Sequence, residues 1–113
     1  MPGSATSIDE FKETLRSELA RMTSNRRREY IEARLIEPSI VTLHWEYGNN
    51  EPFAAWMFAD LRRAGVMVVY CTGGFGALGA PWGLHLRSST HFGQDSGWFR
   101  TLIALAEDEG VPA

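Results

Sequence analysis

Two apolar runs on either side of a glycine-rich stretch constrain the fold of this chain more than any other feature. Residues 66–72 read VMVVYCT, a nearly continuous apolar run that predicts a strand buried on both faces. Residues 82–88 read WGLHLRS, whose alternation predicts a strand with one buried face. The glycines between the runs permit positive φ angles, so the two strands are expected to form a hairpin with a long connection.

The N-terminal part predicts an amphipathic helix over residues 8–27, after a flexible segment of residues 1–7. Ser7 and Glu10 have the spacing of a capping box. One apolar stripe follows at steps of three and four: Ile8, Phe11, Leu15, Leu19 and Met22. Residues 26–28, all arginine, then lie near the negative end of the predicted helix dipole.

The next segment predicts a hairpin and a second helix. Residues 30–36 and 40–47 alternate in polarity on either side of Glu37-Pro38-Ser39, which is typical of a turn. The letters GNNEP then predict a helix start, and Gly65 a helix end. The helix between them is apolar on most sides: Phe53, Trp56, Met57, Phe58 and Leu61.

A last helix is expected to carry Trp98, Leu102 and Leu105, capped by Asp95 or Ser96. The predicted order is therefore α-β-β-α-β-β-α. With 113 residues, this order indicates a single α+β domain spanning 1–113. We expect a four-stranded, mainly antiparallel sheet with the helices packed on one face.

Composition and charge exclude several classes of function. The net charge of −3 offers no general attraction to nucleic acid or membrane, and the arginines are explained by helix ends. No apolar run reaches the roughly 18 residues that a membrane span requires. The N-terminus does not have the pattern of a signal peptide. A single cysteine, Cys71, excludes an internal disulfide and is expected in a buried strand. Together these features predict a cytoplasmic protein.

No motif in the sequence carries catalysis. The glycine-rich stretch lacks lysine and precedes a strand, whereas phosphate-binding loops precede a helix. No serine lies in a G-x-S-x-G elbow, and no pair of the three histidines has a recognised metal-ligand spacing. We therefore assign no catalytic, cofactor-binding or metal-binding residue, and we predict a protein that is not an enzyme.

The glycine-rich stretch carries large apolar side chains on a connection that should run over the surface. Such side chains either fold back onto the core or contact a partner. Aromatic groups surrounded by charged ones are typical of protein interfaces. The residues expected to contact a protein partner are Phe75, Leu78, Trp82, His91, Phe92, Glu46 and Asn49.

Roughly residues 45–105 resemble the small immunity and uncharacterised proteins found around bacterial polymorphic toxin systems. The segments that carry the resemblance read PFAAWMFADL, VVYCTGGFG, PWGLHL and GQDSGWFRTL. Its main marks are residues 81–84 and 95–99. The resemblance implies a non-enzymatic protein that binds a toxin and blocks its active site.

Two alternatives remain open from the sequence. One is a small-molecule-binding domain or small enzyme, with a pocket lined by Tyr70, His44, His85 and Arg87. The histidines lie at polar positions of two predicted strands and could face the same side. The other is a homodimer whose exposed aromatic residues form its own interface.

Overall fold

The computed structural model describes residues 7–45, 49–62, 65–89, 91 and 97–111, which build an α+β fold. Its helices are α1 (Ile8–Ala20), α2 (Asn25–Glu32) and α3 (Leu102–Asp108). Its strands are β1 (Leu35–Trp45), β2 (Glu51–Asp60), β3 (Val66–Tyr70), β4 (Trp82–Leu86) and β5 (Trp98–Phe99). A short 3₁₀-helix, Gly74–Leu78, connects β3 to β4.

The five strands pair in chain order, and every pair is antiparallel. The α+β class, the β3–β4 hairpin and the packing of helices on one face are confirmed. The predicted strand count of four and the predicted element order are wrong: the single strand β1 replaces the two strands of the first predicted hairpin, β2 replaces a predicted helix, and β5 was not expected.

The predicted helix over residues 8–27 is two helices. Ser7 caps α1 as expected, since its hydroxyl oxygen accepts the N–H of Glu10 at 3.1 Å. A second cap follows at Ser24, whose hydroxyl oxygen accepts the N–H of Arg27 at 3.1 Å. Residues 26–28 therefore lie in the first turn of α2, at the end of the dipole that disfavours cations.

The predicted first hairpin is also wrong. Ile31 lies in α2, and Glu37-Pro38-Ser39 is part of β1 rather than a turn. Leu35 pairs with Ala59 but Ser39 pairs with Met57, so the ladder between β1 and β2 is interrupted at the proline. A β-bulge tolerates proline because no ladder hydrogen bond is required there.

The predicted second helix is the interior strand β2. Its side chains are buried on both faces, with Trp56 and Phe58 in one core and Ala55 and Met57 in the other. A strand buried on both faces has no polar alternation, so its sequence does not distinguish it from a buried helix. Gly65, with φ of 73°, belongs to the turn into β3 instead of ending a helix.

The C-terminal helix begins later than predicted. Residues 98–99 form β5, which pairs with β4. The N-cap of α3 is Thr101, whose hydroxyl oxygen accepts the N–H of Ala104 at 3.0 Å. The predicted caps, Asp95 and Ser96, lie outside the described residues, as do residues 1–6.

One face of the sheet, the helix-covered face, packs against all three helices. Its buried core includes Phe11, Leu15, Leu19, Ile31, Trp56, Phe58, Val68, Trp82, Leu102, Leu105 and Ala106. The ring of Phe11 lies with its centroid 5.1–5.8 Å from three strand rings: Trp56, Phe58 and Tyr70. Aromatic contacts thus join α1 to the middle of the sheet.

Among the described residues, the second face is covered without any α-helix, and the 3₁₀-helix contributes Phe75 to it. Its buried side chains are Leu43, Ala55, Met57, Met67, Val69, Cys71, Phe75 and Trp98. The ring of Phe75 lies 5.9 Å from that of Trp45 on β1 and 6.1 Å from that of Trp98 on β5. These edge strands would be about 19 Å apart in a flat five-stranded sheet. Their shared contact indicates that the sheet curls around this face.

A buried carboxylate joins α1 to α3. Glu18 accepts the N–H of Leu102, the first residue of α3, at 3.0 Å and the guanidinium of Arg21 at 2.9 Å. The first amides of a helix have no partner within the helix, so this bond satisfies a donor that would otherwise be buried without one.

We expect Gly83→Ala to lower the free energy of unfolding by about 1–3 kcal/mol, because it overpacks the second face. A Cβ on Gly83 would lie 2.8 Å from ring atoms of Trp98, its neighbour across the strands. The matched control is Gly97→Ala, whose Cβ would meet, among the described residues, only the Leu84 carbonyl oxygen, at 3.7 Å. The control should change stability by no more than about 0.5 kcal/mol in urea unfolding. Equal losses in the two variants would contradict this packing.

Glu18→Ala should cost about 1–3 kcal/mol of stability, since the buried N–H of Leu102 loses its acceptor. Glu18→Gln keeps a carbonyl acceptor and should lose less. Glu13→Ala, which removes an exposed carboxylate paired with Arg16, is the control and should unfold like the parent protein. Thermal unfolding of the three variants checks this order, and a Glu18→Ala protein as stable as the parent would refute it.

Candidate functional site

Two of the residues predicted to contact a partner are core residues. Trp82 is 2% exposed and packs against Phe58 and Tyr70 on the helix-covered face. Phe75 is 7% exposed and lies between Trp45 and Trp98 on the second face. Their rings fold back onto the sheet, so neither is available to a partner while the protein is folded.

Leu78, in contrast, is 67% exposed at the end of the 3₁₀-helix. The backbone around it is held by hydrogen bonds from the N–H of Gly79 to the carbonyl of Gly76, at 3.0 Å, and from the N–H of Ala80 to the carbonyl of Phe75, at 2.9 Å. Gly79 adopts φ of 96°, a conformation that favours glycine. The glycine-rich connection therefore presents Leu78 on a defined backbone anchored by the buried ring of Phe75.

Asn49 is exposed in the connection between β1 and β2. It and Asn50 have φ of 57° and 60°, a left-handed conformation that asparagine tolerates better than most residues. His91 is exposed and forms a parallel β-bridge with His44 near the end of β1. Two other predicted contacts, Glu46 and Phe92, lie outside the described residues.

The accessible contact residues lie toward one end of the sheet. The β1–β2 connection, which holds Asn49, and the β3–β4 connection, which holds Leu78, leave the sheet at the same end because all strands are antiparallel. His91 joins this end through its bridge to His44, one residue before β1 ends. We call Asn49, Asn50, Leu78 and His91 the tip surface.

The four residues of the alternative pocket are not assembled into one site. His44 pairs with Pro52 at the start of β2, whereas His85 pairs with Met67, which pairs with Asp60 at the end of β2. The stretch of β2 from Pro52 to Asp60, at about 3.3 Å per residue, therefore separates the two histidines by roughly 26 Å along the strand direction. They also lie on opposite faces of the sheet, because each strand alternates its side chains.

Tyr70 and Arg87 are also apart from each other, although Arg87 contacts Met67, the strand partner of His85. Tyr70 packs on the helix-covered face beside Phe11 and Trp82. Arg87 lies at the far end of the sheet from the tip surface, where it donates to the sulfur of Met67 at 3.6 Å. A surface hollow of about 380 Å³ is lined there by Gly65, Leu86, Arg87 and Ser88.

The buried titratable groups on the second face have structural partners. The Nε2 atom of His85 lies 2.8 Å from the Ser89 carbonyl oxygen, to which a protonated Nε2 donates. Burial lowers the pKa of His85, and this hydrogen bond opposes the shift. Burial raises the pKa of the Cys71 thiol to about 11, so the group stays protonated at neutral pH and is not an activated nucleophile. The expected burial of Cys71 is confirmed.

Within the described part of the chain, no three or more histidine, cysteine, aspartate or glutamate side chains form a group that could hold a metal ion. None of the described helices is both long enough and apolar enough to cross a membrane. Comparison of the chain with protein-family models, curated proteins and solved structures finds no match. The resemblance to immunity proteins therefore stays a prediction from the sequence.

We expect His85 to make the protein less stable as the pH falls below about 6.5. The pKa of His85 is lower in the folded protein than its usual 6.5, so the unfolded chain binds more protons in the interval below that value. The stability that neutral His85 contributes is complete above pH 6.5 and is lost as the pH falls through the lowered pKa. Urea unfolding of the parent and of His85→Gln, at several values between about pH 7 and pH 5, measures the difference. Parallel pH profiles for the two proteins would contradict the expectation.

Proposed function

We propose that this protein is a binding module that contacts another protein through the tip surface. The observation that carries the proposal is the exposure of Leu78, 67%, on a backbone held by hydrogen bonds and by a buried aromatic anchor. A backbone held in place before binding loses little conformational freedom when a partner covers the side chain that it presents.

The surroundings of Leu78 suit the rim of an interface. Asn49 and Asn50 offer side-chain amide donors and acceptors on a tight turn. Interfaces commonly combine a few apolar anchors with a polar border that makes hydrogen bonds. In this arrangement Leu78 is the anchor and the asparagine turn is part of the border.

The proposed partner is a bacterial toxin, which the protein neutralises by covering its active site. Support for this partner comes from the resemblance to immunity proteins in the second half of the sequence. The marks of that resemblance that the structure describes include the core residues Trp82 and Trp98 and the half-buried Leu84, which packs against the helix-covered core. The resemblance thus concerns residues that stabilise the fold, whereas the tip surface is assigned from the solvent exposure of its own residues. Occlusion requires only shape and affinity, so this function needs no catalytic group on this chain.

Leu78→Ala should weaken the complex with the toxin by about 2 kcal/mol, roughly a thirty-fold rise in Kd, without changing the melting temperature. The matched control is Leu86→Ala, because Leu86 is 52% exposed at the opposite end of the sheet. The control should leave Kd within about a factor of two to three.

The experiment begins with native mass spectrometry of the complex isolated from the cells that make the protein. The co-isolated protein is then expressed alone and with each variant, and growth of the host is measured together with Kd. Growth inhibition that the parent protein relieves and Leu78→Ala fails to relieve would support the proposal. A dimer of this chain alone, a bound small molecule, or equal effects of the two leucine variants would contradict it.

A further inference from the structure

We propose that His44 and His91 together bind one divalent transition-metal ion of the zinc, nickel or copper type. The two residues are 47 positions apart in the numbering of the chain, and only the return of the β4–β5 connection to β1 brings them together. The inference does not depend on the proposed function.

The separation of the two rings is close to that of imidazoles sharing an ion. Their centroids are 6.0 Å apart and their planes are at 89°. A zinc–nitrogen bond of about 2.1 Å places two imidazole centres about 5 Å apart in a tetrahedral complex. Closure by about 1 Å requires small changes of χ1 in the two histidines, because rotation about χ2 turns each ring about an axis close to its own centroid and serves only to aim the nitrogens. The β-bridge between the two residues limits how far their backbones have to move.

The ring nitrogens of both residues are available as ligands. Among the described residues, neither ring makes a hydrogen bond or an ion pair. His91 donates a hydrogen bond only from its backbone N–H, to the hydroxyl oxygen of Ser89 at 3.3 Å. His91 is exposed and His44 is half-buried, so an ion can approach from solvent. His85 differs in both respects, since it is buried and its Nε2 is engaged with the Ser89 carbonyl.

The donor set selects the class of metal. Imidazole nitrogens suit zinc, nickel and copper, whereas magnesium and calcium prefer oxygen ligands. Because the described chain places no third histidine, cysteine or carboxylate in the group, the remaining coordination positions go to water or to a donor from another molecule. The site is therefore open and exchangeable, unlike a closed structural zinc site with four protein ligands.

A metal ion at this position would fasten the β4–β5 connection to the edge of the sheet. Between the described residues of these two segments runs the isolated bridge, and His91 is part of the tip surface. Occupancy is thus expected to make this end of the molecule more rigid while leaving the two cores unchanged.

Zinc titration of the full chain, followed by NMR of the imidazole nitrogens, tests the site directly. For this titration the protein is prepared without a polyhistidine tag, because such a tag would itself bind the metal. We expect the ring signals of His44 and His91 to change together and to saturate at one equivalent of zinc. The ring of His85 should stay unchanged, chelation should reverse the effect, and magnesium should produce none. Signals that do not saturate, or a change confined to His85, would overturn the proposal.

Calorimetric titration of variants with zinc and nickel provides the second measurement. His44→Ala and His91→Ala should each weaken binding at least ten-fold, and the double variant should bind no ion at this position. This pattern distinguishes two ligands on one ion from two separate weak sites, because each single variant would then keep one site at its original affinity. Exposed His91 can be replaced without disturbing either core, so its variant remains informative if His44→Ala fails to fold. Unchanged affinity in His91→Ala would refute the site.

Discussion

Burial of the central strands β2 and β3 on both faces is the constraint on which the rest of the structure depends. The helix-covered face receives all three helices, with Phe11 against the rings of the middle strands. The second face must then be covered by what remains of the chain. The β3–β4 connection provides Phe75, and the edge strands provide Trp45 and Trp98. Curling of the sheet around Phe75 is the geometric result.

The covering of the second face explains the glycines of the β3–β4 connection better than turn formation alone does. A Cβ on Gly73 would lie 2.1 Å from the ring of Phe53, and one on Gly76 would lie 2.0 Å from the Cys71 carbonyl oxygen. The connection can approach the sheet closely only because these positions lack side chains. Folding back in this way buries Phe75 and leaves Leu78 at the outer end. The exposed leucine of the tip surface is therefore a consequence of how the second face is covered.

The tip surface and the pair of histidines lie at the same end of the sheet, but they would bind their ligands through different interactions. Leu78 offers apolar area on a fixed backbone, which suits a protein partner. His44 and His91 offer nitrogen lone pairs at a distance close to that of a chelate, which suits a metal ion. The opposite end of the sheet holds the buried imidazole of His85, whose nitrogen is already engaged.

The sequence by itself determined the features whose signal is local. These are the α+β class, the cap at Ser7, the β3–β4 hairpin and the burial of Cys71, because each follows from neighbouring residue types. It also predicted Leu78 and Asn49 as partner contacts, but it could not distinguish these exposed residues from Phe75 and Trp82, which are buried. Which side chain of a connection folds inward depends on the surface it meets. Tertiary structure alone decided that β2 is a strand, since burial on both faces removes the alternation that would reveal it. It likewise placed Pro38 in a bulge and brought His44 to His91, because pairing between distant segments is not encoded in the spacing of either one.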